Sequence, residues 1–219
     1  MYIYGLPIYH YITLIAFCLQ LLNCINNRKW DYLLIYLGFV IMFDIVLANV
    51  VSRSSGNNGW VYNVFASLQP PLILWFYRDK FQNKMLLFIL GSLIYIILSI
   101  SYAVVFDFTK IHLKMYSISL VFISVLIGYD TILLIEKDFS FKSLLINPKF
   151  YLNVGFILFC VICFPLLLLI ERIRYSALGE IFFLVLYVGN FILSFLYLIT
   201  TICLLKINFS LPKSLTQRL

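Results

Sequence analysis

Long apolar runs follow one another along almost the whole chain, separated by short polar connections. They fall near Ile8 to Cys24, Trp30 to Val51, Trp60 to Tyr77, Met85 to Val105, Leu113 to Ile135, Phe150 to Ile170 and Glu180 to Leu205. An α-helix rises about 1.5 Å per residue, so roughly 20 residues cross a hydrocarbon core of about 30 Å. Each run suffices for one crossing, the third being the shortest. The expected fold class is all-α: a polytopic membrane helix bundle with seven transmembrane helices over residues 1–206, then a short basic tail at 207–219.

The polar residues inside these runs are spaced by threes and fours. His10, Thr13, Gln20 and Asn23, with Ala16 between them, share one face of the first helix. The same spacing joins Ser92, Tyr95, Ser99 and Tyr102 on the fourth helix, Ser117, Ser124, Gly128 and Thr131 on the fifth, and Tyr187, Asn190, Ser194, Tyr197 and Thr201 on the seventh. Small and hydroxyl-bearing residues let membrane helices approach and hydrogen-bond across the contact. These stripes are expected to point inward, either as packing or as the lining of a ligand or water path.

Some polar groups lie deeper than an interface. An unpaired amide or carboxylate in hydrocarbon costs several kcal/mol, so Asp44 and Gln69 are expected to face other helices or a wet cavity. Counted from the helix ends, His10, Asn49 and Asn63 lie in the outer part, and Asp44, Gln69 and Asn190 lie nearer the middle. With Tyr62 they form the candidate ligand-binding set, a polar pocket open to the outside. Pro70 and Pro71 remove two backbone donors from the third helix and are expected to leave carbonyls near Ser67 and Gln69 without intrahelical partners. A kink or an unwound segment should result, which makes this pair the candidate conformational hinge. Asp130 and Glu180, near helix ends, are expected to be interfacial.

Composition agrees with this pattern: 63% of residues are hydrophobic, 11% are charged and mean hydropathy is +1.02. The net charge of +7 raises nucleic acid as a partner, but the basic residues sit in short connections. Arg28, Lys29, Arg78, Lys80, Lys84, Lys137, Lys142, Lys149, Lys206, Lys213 and Arg218 fall on one side of the expected layout; Arg53, Lys110, Lys114, Arg172 and Arg174 fall on the other. The positive-inside bias places the amino terminus outside and the carboxyl terminus in the cytosol. The lipid bilayer is then the expected partner, and no nucleic acid is.

The first helix lacks a basic leader and a small-residue cleavage site, so it is expected to remain in the mature protein. Tyr2, Tyr4, Tyr9 and Tyr11 cluster where that helix meets the outer interface. Five cysteines, Cys18, Cys24, Cys160, Cys163 and Cys203, fall within or at the ends of the runs, which argues against a disulfide framework. Cys160 and Cys163 form a C-x-x-C inside an apolar helix, read as packing residues or as a pair for redox or metal chemistry. The connection from Glu136 to Lys149 could dip Phe139, Phe141, Leu144 and Leu145 into the headgroups.

Only His10 and His112 are available for metal or haem, and no nucleophile or zinc motif occurs. The seventh helix has no lysine for a retinal Schiff base. No catalytic residue, metal site or cofactor is expected, and the chain is not expected to be an enzyme. Trp60-Val61-Tyr62-Asn63-Val64 and Phe150-Tyr151-Leu152-Asn153-Val154 share an aromatic-x-x-Asn-Val pattern on helices of opposite direction, a short echo of an inverted repeat.

Leu33-Leu34-Ile35-Tyr36-Leu37 leads to Asp44, then come Asn57-Asn58, Trp60, Tyr62-Asn63-Val64-Phe65 and Phe76-Tyr77; a second block, Asn147-Pro148-Lys149-Phe150-Tyr151, leads to Gly155. In these features the chain resembles a family of small bacterial seven-span membrane proteins encoded near sensor histidine kinases. The resemblance implies a sensory or signalling module of the inner (cytoplasmic) membrane, with a cytosolic signalling protein such as a histidine kinase as partner. The family commonly has glutamate where Gln69 stands and a histidine in the last helix, which has none here; both departures speak against a proton-linked role.

Three readings follow. In the first, a receptor-like protein takes a small ligand or lipid in the outward pocket and acts through a partner. In the second, the same stripes line the path of a small-solute transporter or channel, with Asn153 and Asp130 continuing it inward. In the third, the chain is a structural membrane subunit with a dry core around Asp44. Each admits a homo-oligomer.

Overall fold

Apolar runs interrupted only by short polar turns close their backbone hydrogen bonds locally, and the computed structural model is accordingly helical almost throughout. It describes residues 2–3, 6–28, 31–77, 85–110, 114–137, 144–145, 147–173 and 179–210. A minimal antiparallel ladder, β1 (Tyr2–Ile3) with β2 (Leu6–Pro7), precedes α1 (Ile8–Asn27). Then come α2 (Tyr32–Val40), a π-helical segment (Ile41–Leu47), α3 (Ala48–Ser55), α4 (Gly59–Trp75), α5 (Met85–Val105), α6 (Lys114–Lys137), α7 (Pro148–Ile173) and α8 (Gly179–Ser210).

Among the described residues, five stretches are long and apolar enough to cross a bilayer: Ile8–Asn27, Tyr32–Ser54, Tyr116–Glu136, Pro148–Leu167 and Phe183–Lys206. They are those of a multi-pass membrane protein. The shorter apolar helix Ile89–Val105 adds to them, and α4, the shortest of the expected spans, has 17 residues. Large side chains such as Leu93, Ile97, Phe122 and Val125 stand on the outside of their helices, where a bilayer rather than water suits them.

The chain divides into two units, Met1–Leu37 with Ser124–Leu219, and Gly38–Ile123. In the first, α1 and α7 both pack against α8. The stripe expected on α1 is the buried face: His10, Thr13, Ala16, Gln20 and Asn23 are each 5% exposed or less. Thr13 donates to Ser194 on α8 at 2.9 Å. Tyr197 donates to the Tyr36 hydroxyl at 3.0 Å, and these two rings meet Phe156 edge to face at 5.8–6.0 Å. Close approach of α7 to α8 depends on two glycines, because a Cβ on Gly189 would lie 3.0 Å from Cys163 Sγ and one on Gly155 3.2 Å from Leu196. Cys160 and Cys163 are buried here, and all five cysteines are free thiols.

In the second unit, hydrogen bonds fix the directions of the helices. Asn58 donates to the Ala48 carbonyl and Tyr62 to Asp44, so the π segment with α3 and the start of α4 form a hairpin. Ser67 on α4 pairs with Ser99 on α5, running back, while Asn63 meets Lys110 and Gln69 meets Tyr116, six residues further along both stretches. Here α5 runs antiparallel to α4, and the segment leading into α6 runs parallel to it.

Asp130, toward the end of α6, is 3% exposed and enclosed by side chains from α7. One expectation about a connection needs correcting. Leu144 is buried rather than dipped outward, although Leu145 is exposed; Phe139 and Phe141 lie outside the described residues. On α6, the small-residue stripe is uneven: Ser117 is fully buried, whereas a Cβ on Gly128 would meet nothing within 4 Å.

Candidate functional site

Asp44 lies at the centre of the seven-residue π segment, where the Ala48 N–H bonds the carbonyl of Phe43, five residues back. Such wide turns expose backbone and recur at functional sites. Nothing in Ile-Met-Phe-Asp-Ile-Val-Leu demands one, since the segment has no proline or glycine. The Tyr62 hydroxyl donates to Asp44 Oδ1 at 3.3 Å, and both residues are half-buried. A tyrosine donor and partial access together make a carboxylate tolerable at this depth.

Three phenylalanines flank the same helix seam. Phe39 and Phe43 are one turn apart with ring centroids at 4.6 Å; Phe65, one turn beyond Tyr62, stacks on Phe39 at 5.3 Å and 10° and lies 6.2 Å from Phe43. All three are half-buried.

The other expected ligand residues go elsewhere. Asn49 turns back to its own helix, its Nδ2 donating to the Ile45 carbonyl at 2.7 Å. Buried Asn63 donates to the carbonyls of Phe108 and Lys110 at 2.9 and 2.7 Å, fastening the α5–α6 connection to the start of α4. The approach there is so close that a Cβ on Gly59 would lie 2.0 Å from the Thr109 carbonyl oxygen. Gln69, 4% exposed, accepts from the Tyr116 hydroxyl at 2.5 Å. His10 and Asn190 belong to the first unit, where His10 packs edge to face on Tyr9 at 4.4 Å and Asn190 donates to its own helix at Leu186.

The proline pair does not unwind α4, which is helical from Gly59 to Trp75. Proline at 70 deprives the carbonyl four residues earlier, that of Ala66, of its usual N–H. The Tyr95 hydroxyl donates to that carbonyl at 3.2 Å. A side chain from α5 thus replaces the missing backbone donor, and the expected break near Ser67 and Gln69 is bridged. Ser67 itself donates to Asn63 O and accepts from the Ser99 hydroxyl, each at 2.8 Å. From Asn63 to Gln69, α4 carries a ladder of bonded polar groups; one turn on, Ile73 and Leu120 are buried and apolar.

In the α5–α6 connection, Asp107 has a left-handed backbone, φ 81°. The Thr109 hydroxyl, the Thr109 N–H and then the Lys110 ammonium hold its carboxyl below the usual carboxylate range.

No protein-family model, curated protein or solved structure matches the chain. The site's chemistry therefore rests on its own geometry. Two features of the first unit escape a reading of the sequence by spacing alone. Lys149 meets both carboxylate oxygens of buried Asp130 at 3.2 and 3.1 Å, and Asn153 Nδ2 adds bonds of 3.1 Å to Asp130 and to Thr131. Asp31 caps α2 through the Leu33 N–H and accepts from Gln20 Nε2 at 2.9 Å, while Gln20 Oε1 is buried with no hydrogen-bond partner among the described residues. Among the described residues no three His, Cys, Asp or Glu side chains form a metal-binding group.

Proposed function

We propose that the chain is a seven-span inner-membrane protein, amino terminus outside and carboxyl terminus cytosolic, acting as a sensory module. A small ligand or lipid reaches the Asp44–Tyr62 pair from the outer side, and a cytosolic partner such as a histidine kinase reads the result. The observation that carries this reading is the half-buried Asp44 carboxylate at the centre of a π-helical turn, met by the Tyr62 hydroxyl. The ladder of polar groups on α4 supports it: Asn63 is tied to the outer connection, Ser67 to Ser99 and Gln69 to Tyr116, so a shift of α4 strains all three attachments. Ligand affinity must differ between two arrangements of that ladder for a signal to pass. The resemblance to proteins encoded beside sensor kinases points the same way.

A transporter is the second reading, favoured by one observation: Asp130 and Asn153 are buried and bonded to each other. Native mass spectrometry of the full chain in mild detergent tests the first reading. A small molecule retained by the natural chain and lost from Asp44→Asn and Tyr62→Phe, together with a co-purifying kinase, is the expected result. Solute uptake into proteoliposomes containing this chain alone would replace it with the second.

A further inference from the structure

The aromatic seam around Asp44 narrows the ligand. We infer that the site takes an organic ammonium group, as a free amine or quaternary ammonium compound or as the headgroup of a choline lipid; this rests on the sensory reading above.

Asp44 follows Phe43 directly, and Tyr62 stands one turn before Phe65, so the carboxylate and the rings occupy adjacent turns of one helix–helix seam. A carboxylate at membrane depth favours a positive ligand and repels a negative one. Phenylalanine faces carry negative potential, and a cation within about 6 Å of a ring centroid is attracted to it. The centroids of Phe39, Phe43 and Phe65 lie 4.6–6.2 Å apart; Phe39 and Phe65 stack at 10° and cover each other's facing sides, so an ammonium at Asp44 would meet the cluster at Phe43, tilted 39–41° from both, and at the outer side of the stack. All five side chains are half-buried, so the seam is neither sealed nor fully open.

A hard metal ion asks for six or more oxygens, whereas the side chains placed here among the described residues are one carboxylate, one phenol and hydrocarbon rings. A diffuse, weakly hydrated ammonium carrying methyl or alkyl groups matches both the charge and the apolar walls. The π turn contributes by setting the Asp44 side chain out of the ordinary α-helical register of its neighbours.

The test uses the full chain in phosphatidylglycerol nanodiscs, with choline, tetramethylammonium and 3,3-dimethyl-1-butanol, the uncharged carbon isostere of choline, followed by calorimetry and thermal unfolding. Choline and tetramethylammonium should bind saturably and about tenfold or more tighter than the isostere. Asp44→Asn should abolish that discrimination and Phe65→Leu should weaken it several-fold. Asp44→Glu, which keeps the charge, should retain it and so separates loss of charge from loss of fold. Repeating the titration in phosphatidylcholine nanodiscs identifies the source: a response to free choline that disappears assigns the site to the lipid headgroup, and one that persists assigns it to a soluble ammonium. Equal binding of choline and its isostere would overturn the ammonium assignment while leaving a ligand site at Asp44. The same holds if native mass spectrometry finds an Asp44-dependent molecule that is not a cation. The sensory reading itself fails if no molecule depends on Asp44, or if the chain alone carries solute into proteoliposomes.

Discussion

Asn63 and Asn153 stand near the amino-terminal ends of α4 and α7, each three residues after an aromatic side chain and just before a valine. Both are buried, at 2% and 0% exposure, and both use Nδ2 twice. Asn63 gives its two bonds to uncharged backbone carbonyls of a connecting turn. Asn153 gives one to a buried carboxylate that also holds Lys149, and one to the Thr131 hydroxyl. The same short pattern thus fastens a loop in one unit and completes an ion pair in the other. The difference teaches that a buried amide takes its importance from what it satisfies: a backbone carbonyl can turn to water once released, but a buried carboxylate needs its donors where they are.

The largest effect is expected where that contrast is strongest. In Lys149→Met, Asp130 stays 3% exposed without its counter-charge, and removing one partner of a buried pair costs about 3 kcal/mol. The Lys149 side chain is 39% exposed, which keeps the cost below that of a fully enclosed pair. Steric-trap unfolding in bicelles measures it. Pairing the change with Asp130→Asn should recover most of the loss, since no charge is then left buried; equal loss in the single and double variants would show that the pair is not the anchor of this corner.

A smaller effect is expected at the other corner. Asn63→Ala removes two neutral hydrogen bonds, worth about 1–2 kcal/mol together. Gly59→Ala attacks the same joint from the other side, because its Cβ would stand 2.0 Å from the Thr109 backbone oxygen and the turn would have to move. Since both act on the contact between α4 and residues 106–110, the double variant should cost little more than the worse single one. Strict additivity, read by the same unfolding assay, would mean that Asn63 and Gly59 hold separate structures.

How much of this could be read before the structure depends on the range of each interaction. The helices are legible because apolar length and short polar breaks are local properties, and the buried face of α1 is legible because His10, Thr13, Gln20 and Asn23 repeat at the helical period. The π turn is not legible: Ile41–Leu47 has ordinary helix composition, and only its tertiary setting selects the wider winding. Proline chemistry correctly warns of an orphaned carbonyl in α4, yet the rescuer, Tyr95, is 29 residues away on another helix. Lys149 looks like one more basic loop residue until the fold sets it on Asp130. At the candidate site, Asp44 and Tyr62 are joined, whereas Asn49, Asn63 and Gln69 bond to protein partners; depth in a helix tells that a polar group must be satisfied but not by whom.

The smallest effect separates the loop's own chemistry from the Asn63 anchor. Asp107 is exposed and its carboxyl is held below the ordinary value of 3.8 by Thr109 and Lys110. A carboxyl with a lowered folded-state pKa stabilises the structure above its unfolded value, and that contribution is lost as pH falls through the folded value. Hydrogen-exchange protection of the Thr109 amide, corrected for the intrinsic rate, should therefore hold as pH is lowered toward 3.8 and decline only below it. Asp107→Asn, which tolerates the left-handed backbone at φ 81°, should remove the pH dependence and leave most of the protection, because Asn63 still grips Phe108 and Lys110. If protection instead vanishes in that variant, the turn is held from within by Asp107, and the comparison with Asn153 loses its neutral member.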